Sequence, residues 1–266
     1  MPLPYPRPVP AQIGAVLGDD ELIELDVIDG GIARLRPRRP GRAVLALHAR
    51  PPEQRALARE IERLFWLAGR ATAPEVIATG RAEEGDEVVV VRMPVGAMPA
   101  SRPEHGVDPA GLAAALGAAL REVHRLPREE APLAPSLEQL RKEASHRVSH
   151  GLVTNRPDGP YRRRSPERLL ATLDNLLAEL DAPDAKVIHG SPVLENLWIA
   201  PDRSVILTGW SGSGLGDSHR DLAVASRSLG EGFGPAVVAP FLDAYGLDEV
   251  DLRRLDAHQL LDHLLT

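Results

Sequence analysis

The sequence is mainly strand-like before Pro94 and mainly helical after it, which points to folds in which a sheet-forming part precedes a helical one. Before Pro94, residues 21–28, 32–36 and 43–48 are strand-like runs. The segments Asp29-Gly30-Gly31 and Arg38-Arg39-Pro40-Gly41 between them are turn formers, so an antiparallel sheet is expected. Over 53–67, from Glu53, the apolar Leu57, Ile61, Leu64 and Phe65 recur at helical spacing, and one helix interrupts the strands. Residues 87–93, bounded by Gly85-Asp86 and Pro94, read as a buried strand.

After Pro94, Asp108-Pro109 supplies a helix cap and a first-turn proline ahead of Leu112, Leu116, Leu120 and Val123. Ser165-Pro166 repeats the device ahead of Leu169, Leu173 and Leu177. The segment 151–164, with Arg162-Arg163-Arg164, reads as an exposed loop. A short hairpin, 197–200 and 204–208, and helices over 237–245 and 252–265 complete the chain. The expected class is α+β, with a small antiparallel sheet plus helix over 1–94 and a mainly helical part over 95–266.

The 266 residues are 43% hydrophobic and 26% charged, which suits a packed chain rather than a disordered or fibrous one. Cysteine is absent, so disulfides, thiolate metal sites, Fe–S clusters and cysteine nucleophiles are excluded. A net charge of −7 disfavours nonspecific nucleic-acid binding and suits a cationic ligand. No apolar run reaches the ~18 residues of a membrane helix, and residues 1–6 lack a basic or apolar leader, so a cytoplasmic protein without a membrane partner is expected. Only Lys142 and Lys186 are lysine among 31 basic side chains, and none precedes Lys142.

The segment His189-Gly190-Ser191-Pro192-Val193-Leu194-Glu195-Asn196 is followed by Gly209-Trp210-Ser211, Gly214-Leu215-Gly216-Asp217 and Asp221-Leu222-Ala223. This order resembles the aminoglycoside phosphotransferases, whose catalytic loop reads H-G-D-x-x-x-x-N, followed by an I-D segment and G-x-x-D-x-x-x-D-[LI]-A. The 3′-phosphotransferase branch is the most similar. Trp66-Leu67, Pro74-Glu75-Val76, His124-Arg125-Leu126-Pro127 and Gln259-Leu260-Leu261-Asp262 sit where that branch has similar segments. The resemblance implies a bilobal, protein-kinase-like fold and ATP or GTP with Mg²⁺ as cofactor. It also implies an aminoglycoside-like small molecule as partner.

Phosphoryl transfer in such a site needs a cation on the phosphates, a carboxylate near the acceptor hydroxyl, a carboxylate on the metal and a second metal ligand. By the resemblance, the catalytic Asp falls at Ser191, the metal Asp at Gly209 and the strand lysine at about Ala46. Ser191 is a poor base, Gly209 offers no ligand, and the lysine census leaves no displaced lysine. Asn196 and the helix residue Glu60 remain, with Val91 and Met93 on the nucleotide side. Arg42, His48 or Arg50 are the cations left to approach a phosphate, and Glu195 the carboxylate left to approach a metal. On the acceptor side the corresponding positions are Gly212, Asp217, Asp262 and His263, where the similar branch carries Arg at the first and an acidic residue at the last.

A preorganised electrostatic group is commonly worth roughly 10²–10³ in rate, so losing three together points to an impaired enzyme: a pseudokinase that binds a small ligand or a protein partner. The alternatives are a repurposed, nucleotide-independent enzyme of aminoglycoside biosynthesis and a phosphotransferase with a rearranged site. Each residue also has a structural reading. His189 and Asp221 order the loop, Gly30-Gly31 forms a hairpin turn, Glu60 lies on a solvated helix face and Asn196 bonds within its loop. A Ser191–His189 nucleophilic pair is disfavoured for want of an orienting group, and no metal site is expected.

Overall fold

A computed structural model describes residues 10–18, 20–28, 31–39, 43–51, 54–71, 73–82, 85–101, 108–154, 161, 163–246, 248 and 250–266. Glu53, Gly30, Arg42, Arg162 and the opening residues fall outside these. The chain divides into two compact units, Met1–Val107 with Leu194–Gly212, and Asp108–Val193 with Ser213–Thr266. The first unit thus runs to Val107 and also holds the hairpin over 197–208. Its own bonds account for this, because β6 (Met98–Pro99) pairs with β8 (Leu197–Ile199), which pairs with β9 (Val205–Leu207).

The first unit begins with α1 (Ala11–Leu17) and strands β1 (Leu22–Ile28), β2 (Ile32–Pro37) and β3 (Val44–Ala49). Helix α2 (Gln54–Leu67) and strands β4 (Glu75–Arg81) and β5 (Glu87–Arg92) follow. The five strands form an antiparallel sheet in the order β1-β2-β3-β5-β4. Alternation sends Leu35, Ala46, Val88 and Val90 to one face, where they pack with Ile13 and Leu17 of α1. Helix α2 buries Ala56, Leu57, Glu60, Arg63, Leu64 and Leu67. Phe65, expected on the apolar face, is 60% exposed, because the buried stripe runs along 57, 60, 64 and 67. Glu60 is correspondingly not on a solvated face.

The second unit holds α3 (Pro109–Val123), α4 (Leu137–Ser149), α5 (Pro166–Ala178), α6 (Ser218–Phe233), α7 (Val238–Tyr245) and α8 (Leu252–Leu265). Antiparallel β7 (Lys186–Ile188) and β10 (Gly214–Gly216) form a two-stranded sheet. Asp108 caps α3 by accepting the Ala110 N–H, with Pro109 in the first turn, and Ser136 with Gln139 forms a reciprocal capping box on α4. Gly117 lets α3 and α7 approach closely: a Cβ there would lie 2.2 Å from the Phe241 carbonyl oxygen. Ala144, Leu169, Leu173, Leu260 and Leu264 form the core that α4, α5 and α8 share. No helix among the described residues is long and apolar enough to cross a membrane.

Candidate functional site

In the second unit, β7 delivers the chain into His189, and Asp221 on α6 holds the turn that follows. Asp221 is fully buried and accepts the backbone N–H groups of His189 and Gly190, both at 2.7 Å. His124 Nε2 lies 3.1 Å from the same carboxylate, while its Nδ1 is 2.9 Å from the Tyr245 hydroxyl. Burial alone would raise the Asp221 carboxyl, but His124 and His189 outweigh it and hold the group below its ordinary range. His189 is buried, and its Nδ1 accepts the backbone N–H of Ser191 at 3.2 Å. Asp221 and His189 thus fix the backbone that carries Ser191.

The first unit contains a polar network around Arg34, in the middle of β2. Arg34 is 1% exposed, and its guanidinium makes four side-chain hydrogen bonds. Nε and Nη2 bind the two oxygens of Asp26 at 2.6 and 2.5 Å, a bidentate pair. Nη1 donates to Asn196 Oδ1 at 3.3 Å and to Thr208 Oγ1 at 3.2 Å. Thr208 in turn donates its backbone N–H and its hydroxyl to the Asn196 carbonyl, at 2.9 and 3.1 Å. The hairpin ends of β8 and β9 are thereby tied to β2.

Gly209 adopts φ 78°, the left-handed region, and a Cβ there would lie 2.6 to 2.8 Å from the Asn196 amide atoms. The Asn196 side chain occupies the space that a carboxylate-bearing residue would need. Glu60 of α2 is buried beneath the turn Trp210–Gly212. Burial raises its carboxyl to about 7, although the backbone N–H groups of Trp210, Ser211 and Gly209 and the Arg34 charge pull the other way.

Ala46 is fully buried in the α1 side of the sheet, so the position expected for the lysine is a core position. Arg34 lies opposite Leu47 on the neighbouring strand and is the buried cation of this unit's polar network. The available signal was a charge inside the apolar run Ile32-Ala33-Arg34-Leu35. His48 is buried against Asp86 at 3.1 Å, Arg50 and Glu195 are exposed, and Val91 and Met93 are buried at the end of β5. The site does not fit Mg²⁺. Gly209 gives no ligand, Asn196 Oδ1 accepts from Arg34, and no group of three His, Asp or Glu side chains suited to a metal occurs among the described residues.

The expected acceptor-side residues are engaged internally. Asp217 caps α6 through the His219 N–H, accepts from Arg254 Nη1 at 2.9 Å and lies 3.1 Å from His258 Nε2. Burial raises its carboxyl, but His219 and His258 prevail and hold it far below the ordinary range. Asp262 accepts from Arg227 Nε, and Arg227 also reaches Glu231 at 2.8 Å. His263 is half-buried on α8, and Gly212 closes the turn after Trp210 in the other unit.

A family model described as the phosphotransferase enzyme family matches residues 32–258. The chain belongs to the aminoglycoside phosphotransferase family. It is 34% identical over 243 residues to an aminoglycoside 3′-phosphotransferase of Streptomyces ribosidificus, covering 86% of this chain and 85% of that one. An aminoglycoside 3′-phosphotransferase of Streptomyces fradiae is 32% identical over 227 residues, covering 80% of this chain and 82% of the relative. Among solved structures, a type VIII aminoglycoside-3′-phosphotransferase superposes with a TM-score of 0.71 at 28% identity, covering 95% of this chain and 97% of the other. Aminoglycoside phosphotransferase APH(3″)-Id of Streptomyces rimosus gives a TM-score of 0.75 at 22% identity, covering 96% of each chain, and shows the same fold. In this aminoglycoside phosphotransferase family member, Asp221 and His189 support the loop that carries Ser191.

Proposed function

We propose that this protein is an aminoglycoside phosphotransferase-like pseudokinase, impaired in ATP-dependent phosphoryl transfer, that binds an aminoglycoside-like small molecule. The carrying observation is the loop after β7. Asp221 holds both backbone N–H groups of His189 and Gly190, and the residue so positioned is Ser191. A neutral hydroxyl neither accepts a sugar proton at useful rate nor stabilises developing charge, so the loop keeps its support without its base. Gly209 removes a second carboxylate and Ala46 the lysine. Relatives at 32% and 34% identity bear the name aminoglycoside 3′-phosphotransferase, which points to the ligand class, and the net charge of −7 suits a polycation.

The test pairs binding with turnover. Thermal shift of the full chain with a panel of aminoglycosides, without nucleotide, is expected to raise the melting midpoint for at least one of them. A ligand at 100 times its Kd stabilises by ~2.7 kcal/mol. The same compounds with ATP or GTP and Mg²⁺ are expected to yield no phosphorylated product. Turnover of any of them would refute the reading, including turnover that Ser191→Ala does not alter. A silent panel would remove aminoglycosides as the ligand class and turn the search toward a protein partner.

A further inference from the structure

We infer that Arg34 is a resident cation that stands where a phosphotransferase would place its metal ion, holding the Asn196–Thr208 corner closed without metal and leaving it no affinity for nucleotide phosphates. This rests on the pseudokinase reading for its frame, but it makes a separate claim about binding rather than turnover. A fully buried guanidinium is costly unless its charge is paired and its donors are used. Here Asp26 neutralises it in bidentate geometry, and Asn196 Oδ1 and Thr208 Oγ1 take both protons of Nη1. Four of the five guanidinium donors are committed to protein acceptors. An incoming phosphate would have to displace Asp26, whose negative charge repels it.

The acceptors gathered on Arg34 are those a hard cation prefers: a carboxylate, an amide carbonyl and a hydroxyl, all oxygen. Asn196 Oδ1 is the atom the family resemblance assigns to metal. Gly209 completes the substitution, since the missing Cβ is what gives the Asn196 amide its room. The corner has therefore kept its need for one positive charge and satisfies it from β2.

The test is a melting experiment on the full chain with MgCl₂, MnCl₂, EDTA, ATP with and without Mg²⁺, and inorganic tripolyphosphate. The wild type is expected to melt at one temperature in all of them. Arg34→Ala removes the charge and leaves the oxygen acceptors, so its midpoint should fall by several degrees and recover partly in Mn²⁺ or Mg²⁺ but not in Na⁺ at equal ionic strength. A wild type stabilised by Mg²⁺-ATP or tripolyphosphate overturns the inference, as does an Arg34→Ala protein that ignores divalent ions. Should Arg34→Ala not fold, Asp26→Asn decides. It frees the guanidinium, and a tripolyphosphate-induced rise in its midpoint, absent from the wild type, is expected. No rise overturns the inference. A nucleotide-induced shift without transfer defeats only this inference, whereas transfer defeats the pseudokinase reading.

Discussion

Gly209 and Glu60 meet at one turn, and each sets a measurable quantity. At φ 78° an L residue is strained by about 1–2 kcal/mol, and the added Cβ also meets the Asn196 amide at 2.6 Å. Gly209→Ala is therefore expected to cost about 2 kcal/mol or more in chemical denaturation. Glu60 sets a pH dependence. Its folded-state pKa of about 7 lies above the ordinary 4.5, so its contribution to stability is fully present below pH 4.5 and is lost as the pH rises to about 7. At about 1.4 kcal/mol per unit the span amounts to ~3 kcal/mol. Glu60→Gln, which cannot ionise, should flatten the fall in melting midpoint between pH 5 and about 7.5 relative to the wild type. An unchanged slope would show that Glu60 ionises as freely in the fold as in the unfolded chain. The depressed carboxyl of Asp217 acts in the opposite sense, its stabilisation present above pH 3.8 and lost on acidification, so the two effects occupy separate ranges.

Among elements, close approach and capping set the strengths of the second unit. Gly117→Ala places a methyl 2.2 Å from the Phe241 carbonyl oxygen, and backbone cannot yield as a side chain can. Separating α3 from α7 is expected to cost about 2–3 kcal/mol, within the range for overpacked cores. Ser136→Ala, which only breaks the α4 capping box, should cost about 1 kcal/mol. Equal costs for the two would show that α3 and α7 have room to part. Strands β1, β2, β3 and β5 and helices α2, α3, α5, α7 and α8 were legible because each carries apolar positions over several periods between clear turn or cap signals. Strands β7 and β10 have three residues each, too few to show alternation, and β4 has the small residues Ala78, Thr79 and Gly80 in its middle. Helix α4 is mostly polar, with Ala144 its one buried residue, and gave little apolar signal. Phe65 was misplaced because a stripe anchored on Leu57 and Ile61 drifts off the true one through Glu60 and Leu64.

In the whole molecule, each compact unit closes its own polar network: Arg34 with Asp26, Asn196 and Thr208 in the first, and Asp221 with His124, Tyr245 and the backbone after β7 in the second. The loop motif was readable because its residues are consecutive. The Arg34 network was not, because its partners lie 162 and 174 positions away and a charge in a strand ordinarily reads as a solvent-facing alternate. The sequence holds no lysine before Lys142, and the buried positive charge of the first unit is the arginine Arg34 on β2. The most direct measurement is a single-turnover experiment with the protein in excess over γ-labelled ATP, Mg²⁺ present and an aminoglycoside panel supplied. The account predicts no labelled aminoglycoside. A labelled product formed by the wild type would contradict it, whether or not Ser191→Ala abolishes that product.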